Sequence, residues 1–298
     1  MSRRMELCCL IAAIGVAVWG LSAAAQDSGL RIFISVDMEG IGGIGTAKMV
    51  SGAGKDYGRG RELMTAEVNA VVEAIFAHGP AEVLVNDSHG DMQNLLHTQL
   101  DERVQYIQGN IKPLGMVQGL DSTFDGAIFL GYHARAGTPD GFLAHTGSGS
   151  VKGLWLNGVE VGEGGLNAHF AGAQGVPVIL AAGDLTFTQQ FAELVDTRTV
   201  ATKEAIGSSV AKLLHPQLVR ESLREATAAS LDDLSNATAL LVSEPVVFRI
   251  RFATTTRTDI VQAFPGVRRV DGTTVEYEAR TIGEAYGLIR LMYKYVSW

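Results

Sequence analysis

Arg31-Ile32-Phe33-Ile34-Ser35-Val36-Asp37-Met38-Glu39-Gly40 decides how the chain is read. Six residues form an apolar run without polar alternation, and the run ends abruptly in two carboxylates. Ala81 to Val85 repeats the design, ending in Asn86-Asp87-Ser88-His89-Gly90. Asp125 to Leu130 repeats it again, ending in Gly131-Tyr132-His133-Ala134-Arg135. Runs of this kind read as strands buried on both faces of a mainly parallel sheet.

Between the first two runs, Met64, Val68, Val71 and Ile75 mark the apolar stripe of a helix from about Gly60 to Ala77, stopped by His78-Gly79-Pro80. This βαβ rhythm predicts a three-layer αβα architecture with a mainly parallel central sheet. A fourth strand is expected at Val176 to Ala182, running into Gly183-Asp184. Beyond it, Glu204 to His215 and Pro216 to Ser230 read as helices. Val246 to Phe252 and Thr274 to Ala279 alternate apolar and polar residues, as half-exposed strands do. A closing helix spans about Thr281 to Val296. The sequence shows no internal repeat and no linker, so 26–298 is expected to form one domain with a C-terminal α+β subregion.

Residues 1–25 read as a signal peptide. Arg3 and Arg4 precede an apolar stretch from Leu10 to Leu21, and Ala23-Ala24-Ala25 supplies a cleavage pattern. The stretch is short for a membrane span. An exported protein, periplasmic or extracellular, is therefore expected, with no membrane attachment after cleavage. The two cysteines, Cys8 and Cys9, both lie in this segment. The remainder has no thiol, so a metal could be held only by His, Asp and Glu. The 298 residues carry 24 Lys and Arg against 32 Asp and Glu. With no dense basic run, nucleic acid is not an expected partner.

The carboxyl edge of an open α/β sheet is where ligands bind. Here that edge carries Asp37, Glu39, Asp87, His89 and His133. Asp37 and Glu39 are two apart, and extended backbone puts both side chains on one face. Two close carboxylates repel unless a cation lies between them. Added histidines make an N/O set suited to zinc, and less so to manganese or cobalt. His145 and Glu163 follow in glycine-rich loops, although Glu163 alone could be a helix-start carboxylate. His78, His97 and His215 have blander readings, at a helix end, an exposed helix face and a helix end before Pro216. His169 could be a face residue or a pocket wall.

Gly40-Ile41-Gly42-Gly43-Ile44-Gly45 fits a dinucleotide fingerprint after a strand. That motif needs its last glycine to open a helix, whereas Ser51-Gly52-Ala53-Gly54 follows as more loop. No G-x-S-x-G elbow is present, which argues against a serine hydrolase.

Five spaced motifs then resemble the zinc D-aminopeptidase family, peptidase family M55. They are Ser-Val-Asp37-Met-Glu39-Gly, Tyr57-Gly-Arg59-Gly-Arg61, Val-Asn-Asp87-Ser-His89, Gly-Tyr-His133-Ala-Arg135 and Val-Gly-Glu163-Gly-Gly-Leu-Asn167-Ala. The resemblance implies two zinc ions per chain, held by Asp37, Glu39, His89, His133 and Glu163, with His145 as the catalytic residue. It further implies release of N-terminal D-residues such as D-alanine from short peptides, by a homo-oligomer that in this family is a barrel-like decamer. Two departures stand out. The Gly137 to Leu143 loop is one residue longer than the family pattern, and Thr146-Gly-Ser-Gly-Ser150 is poorer in apolar residues. A non-catalytic metal- or peptide-binding protein and a metallo-amidase of other stereospecificity are the competing readings.

Overall fold

The computed structural model describes residues 29–295; the expected signal peptide lies outside them. Twelve strands follow in order: β1 (Leu30–Val36), β2 (Ala81–Asp87), β3 (Gln105–Ile107), β4 (Gly126–Tyr132), β5 (Val151–Leu156), β6 (Val159–Glu160), β7 (Val178–Asp184), β8 (Arg198–Gly207), β9 (Val210–Leu213), β10 (Val246–Phe252), β11 (Arg268–Arg269) and β12 (Thr274–Ala279). Six helices intervene: α1 (Tyr57–His78), α2 (Glu163–Ala173), α3 (Leu185–Ala192), α4 (Pro216–Asp232), α5 (Thr255–Val261) and α6 (Ile282–Tyr295).

The central sheet has seven strands in the order β3-β2-β1-β4-β7-β8-β9. All its pairings are parallel except that of β8 with β9. In β1 successive side chains enter two different cores. Ile32, Ile34 and Val36 pack with Met64, Val68 and Val71 of α1 and with Val219 and Leu223 of α4. Phe33 packs on the opposite face, in a core shared with α2, α6 and the second sheet. A strand facing two cores has no polar side, which is why the run lacks alternation.

The second sheet is antiparallel, in the order β11-β12-β10-β5-β6. Phe248, Ile250 and Phe252 of β10 are buried, whereas Arg249 and Arg251 point to solvent. The expected alternation is thus present, and this sheet covers one face of the central one.

One expected helix is not there. Glu204 to Leu213 belongs instead to β8 and β9, an antiparallel hairpin at the sheet edge. Residues 198–203 pair in parallel with β7, and Gly207-Ser208-Ser209 sits at the turn. Sheet pairing overrides the helix preference of Glu204, Ala205, Ala211, Lys212 and Leu213. His215 caps the start of α4, its Nδ1 accepting from the Gln217 amide at 3.2 Å. His97 lies in an exposed turn rather than on a helix.

The Gly40–Gly45 stretch opens no long helix; only a single 3₁₀ turn intervenes before α1 begins at Tyr57. Its backbone is already engaged: Gly42 N donates to Glu67 Oε1 at 2.7 Å, and Lys203 Nζ to the Ile44 carbonyl at 2.7 Å. A carboxylate at that amide leaves no cradle for a phosphate.

Candidate metal centre

Asp37 and Glu39 leave the end of β1, His89 follows β2, and His133 follows β4. Glu163 is the first residue of α2, and His145 comes from the loop before β5. All six sequence-derived residues converge on one cluster, and Asp37, His89, His145 and Glu163 of them line a cavity.

His89 Nδ1 lies 3.0 Å from both Asp37 Oδ1 and Glu39 Oε2. His133 Nε2 lies 3.4 Å from Asp37 Oδ2 and 3.5 Å from Glu163 Oε2. His145 Nε2 is 3.7 Å from Glu163 Oε1, and its ring stacks on His133 with centroids 4.1 Å apart. Asp37 therefore joins two halves, one oxygen toward His89 and the other toward His133.

Each position has a local cause. The Asp37 amide donates to the Leu130 carbonyl at 2.8 Å, continuing the sheet. Gly131 has φ +69, and a Cβ there would lie 2.2 Å from the Asp37 carbonyl oxygen. Only glycine allows β4 to approach the carboxylate-bearing turn so closely. His133 Nδ1 is 3.0 Å from the Ala134 carbonyl, and Ala134 N donates to Asp184 Oδ2 at 2.9 Å.

The His89 loop is held from beneath by Asp87. Its carboxylate accepts from Asn94 N at 2.6 Å, Leu95 N at 2.8 Å, Asn94 Nδ2 at 2.7 Å and Gln108 Nε2 at 3.1 Å. Asn94 in turn donates to the His89 carbonyl at 2.7 Å. Tyr57 and Arg61, on the first turns of α1, clamp the same loop through Asn94 Oδ1 and the Asn94 carbonyl, each at 2.6 Å. Arg59, from the same motif, pairs with Glu62 at the surface. Asp87→Ala leaves two backbone amides without acceptors and takes one acceptor from each of the Asn94 and Gln108 carboxamides. It is expected to cost about 3–5 kcal/mol in urea unfolding; a loss under about 1 kcal/mol would show that the loop holds itself.

The donor set suits a divalent cation. His89 Nε2 is 2.6 Å from the Val50 carbonyl, so that nitrogen carries the hydrogen. Its Nδ1 can then sit against two carboxylates only with a proton or a metal between. Glu39 Oε2 and His133 Nε2 are buried, and what faces them is His89 Nδ1 for the first and the Asp37 and Glu163 carboxylates for the second, rather than water or backbone. Two triads, Asp37–Glu39–His133 and His133–His145–Glu163, each bring one ligand atom per residue within 4.8 Å of the others.

Charges within the cluster set its protonation. Burial, then the neighbouring Glu39, raises Asp37 to about 7. Burial alone would also raise Glu39 and Glu163, but the facing histidines outweigh it. Glu39 stays well below its ordinary range, and Glu163 falls to about 2. Burial would depress His133, yet Glu163 and Asp37 lift it to about 10. Such a cluster holds protons where a metal could sit. His169 stands apart, buried on α2 and lowered by burial to about 4.

The adjoining cavity has a volume of about 110 Å³. Arg290, Tyr293 and Lys294 of α6 also line it. Sequence reasoning missed these three. On a helix expected only to pack, two cations and a tyrosine look like a solvated edge.

Fold and site together define an α/β protein with a buried N/O ligand cluster at the carboxyl edge of a parallel sheet. The chain belongs to the D-aminopeptidase family, peptidase family M55, whose profile matches residues 30–291. The curated D-aminopeptidase of Bacillus subtilis (strain 168) is 39% identical over 265 residues, covering 88% of this chain and 96% of that protein. A solved structure, the Zn-dependent D-aminopeptidase DppA from Bacillus subtilis, described as a self-compartmentalizing protease, superposes with a TM-score of 0.87. Its identity is 39%, over 89% of this chain and 97% of that one.

Proposed function

We propose that this protein is an exported zinc aminopeptidase that removes N-terminal D-residues, D-alanine foremost, from short peptides. The observation that carries the reading is the convergence of Asp37, Glu39, His89, His133 and Glu163, buried carboxylates facing buried imidazoles, beside a cavity.

These five residues would hold two zinc ions; Asp37 faces His89 with one oxygen and His133 with the other. When bound, such a pair supplies an acidified water and polarises a carbonyl. The protein's own groups do the rest. The His145 Nδ1 is 2.9 Å from the Leu143 carbonyl, which places its hydrogen there when the ring is neutral. Nε2 is left facing Glu163. From that position His145 takes up a proton and donates it, or a hydrogen bond, to the carbonyl oxygen or the departing amine.

A binding protein has no need of five ligands and a proton donor, which favours the enzymatic reading over that rival. A metallo-amidase of other stereospecificity is separated by experiment. D-Ala-D-Ala and L-Ala-L-Ala are offered to the zinc-loaded protein, and release of alanine from the D,D peptide alone is expected. Equal or preferential cleavage of the L,L peptide would refute D-selectivity.

The residues before the described region would direct export, placing the enzyme where peptides of D-alanine-containing cell-wall fragments are met. The protein would act as a homo-oligomer, a decamer as the family resemblance implies. Ile206, 68% exposed, forms with Val210, Leu213, Leu214 and Leu218 an apolar stretch along the β8–β9 hairpin and the start of α4. Exposed apolar stretches of this kind mark association surfaces. The same hairpin reaches the site, since the Leu143 amide donates to the Ser208 carbonyl at 2.8 Å. No helix among the described residues is long and apolar enough to cross a membrane.

A further inference from the structure

The cavity is bipolar. Asp37 and Glu163 line it together with Arg290 and Lys294 of α6. Arg290 is only 4% exposed, yet among the described residues no carboxylate lies within 4.0 Å of its guanidinium. Its contacts are a hydrogen bond from Nη2 to the Lys112 carbonyl at 2.7 Å and a long one from Nη1 to Tyr293 Oη at 3.5 Å. A third cation, Lys112, is buried close by, its Nζ donating to Asn86 Oδ1 at 2.6 Å and to the Asp87 carbonyl. A buried guanidinium without an anion is costly, and an arriving carboxylate relieves that cost.

A short peptide in water is itself bipolar, with an ammonium at one end and a carboxylate at the other. The cavity that would receive it is small, about 110 Å³. We propose that Arg290, assisted by Lys294, receives the free C-terminal carboxylate of the substrate. The amine end meanwhile lies at the metal-ligand end of the cavity, which Asp37, His89 and Glu163 line. The planar fork of Arg290 suits a carboxylate better than a neutral amide, because both its oxygens accept. This inference rests on the aminopeptidase reading and adds the substrate class: free peptide acids, rather than amides or internal segments of long chains.

The test compares D-Ala-D-Ala with D-Ala-D-alaninamide, which differ only at that carboxylate. The wild-type enzyme is expected to favour the acid by roughly 10- to 100-fold in kcat/KM, mainly through KM. Arg290→Met should bring the acid-to-amide ratio close to one, and Arg290→Lys should restore part of it. Lys294→Met changes a half-buried residue near the end of α6, where folding is less at risk, and should lower the ratio several-fold. Calorimetric titration of zinc-stripped protein with the same two peptides gives a readout independent of turnover, and tighter binding of the acid is expected. Equal kcat/KM for acid and amide in the wild type would overturn the carboxylate site while leaving the aminopeptidase reading intact. So would an unchanged ratio in Lys294→Met together with folded Arg290→Met. Failure to cleave either peptide would instead remove the aminopeptidase reading and this inference with it.

Discussion

Replacing His145 by Ala is expected to lower kcat on D-Ala-D-Ala by roughly 10²- to 10⁴-fold, the usual contribution of a positioned acid–base group, while bound zinc stays in place. The geometry supports both halves of that statement. His145 stacks on His133 and has Nδ1 held at the Leu143 carbonyl, so its ring orientation is set. Its side chain keeps 30% exposure, whereas those of His133 and Asp37 keep 1% and 4%. A group on the open side of the cluster can meet substrate. His145 nevertheless stands within ligand distance of His133 and Glu163. Kinetics and metal content must therefore be read on the same sample. Zinc lost in parallel with activity would make His145 a ligand and remove its role in proton transfer.

Asp37→Ala should have the larger consequence. Asp37 Oδ1 faces His89 and Oδ2 faces His133, so one side chain serves both halves of the cluster. Its removal leaves Glu39 with His89 on one side and Glu163 with His133 on the other, with nothing shared. Zinc is expected to fall from about two ions per chain to one or none. The loss of kcat/KM should exceed roughly 10³-fold, because several kcal/mol of charge stabilisation go with the ions. Plasma emission spectrometry on the dialysed variant is the check. A variant that keeps two ions and near wild-type turnover would show that Asp37 is not shared.

Much of this site could be read from sequence because β1, β2 and β4 are buried on both faces. Each becomes a continuous apolar run, and each run stops where ligand-type residues begin. The Asp37–Glu39 spacing then put both carboxylates on one side. Glu163 was ambiguous, since a helix-start carboxylate looks the same whether or not it faces a cavity. The β8–β9 hairpin was misread because its residue types favour helix and only pairing with β7 makes it a strand. The α6 wall was invisible for a related reason. Arg290 and Lys294 lie some 250 residues from Asp37, and only the packing of α6 against α2 and the second sheet turns them toward it. Tyr57 and Arg61 stood out in the sequence only as part of a family motif without a role, and the structure supplies one through Asn94.

The most direct test is zinc content together with D-alanine release from D-Ala-D-Ala, measured before chelation, after it, and after zinc is returned. About two zinc ions per chain, activity abolished by the chelator and restored by zinc are the predicted results. A protein that binds no zinc, or one that keeps releasing D-alanine after complete removal of metal, would contradict the account.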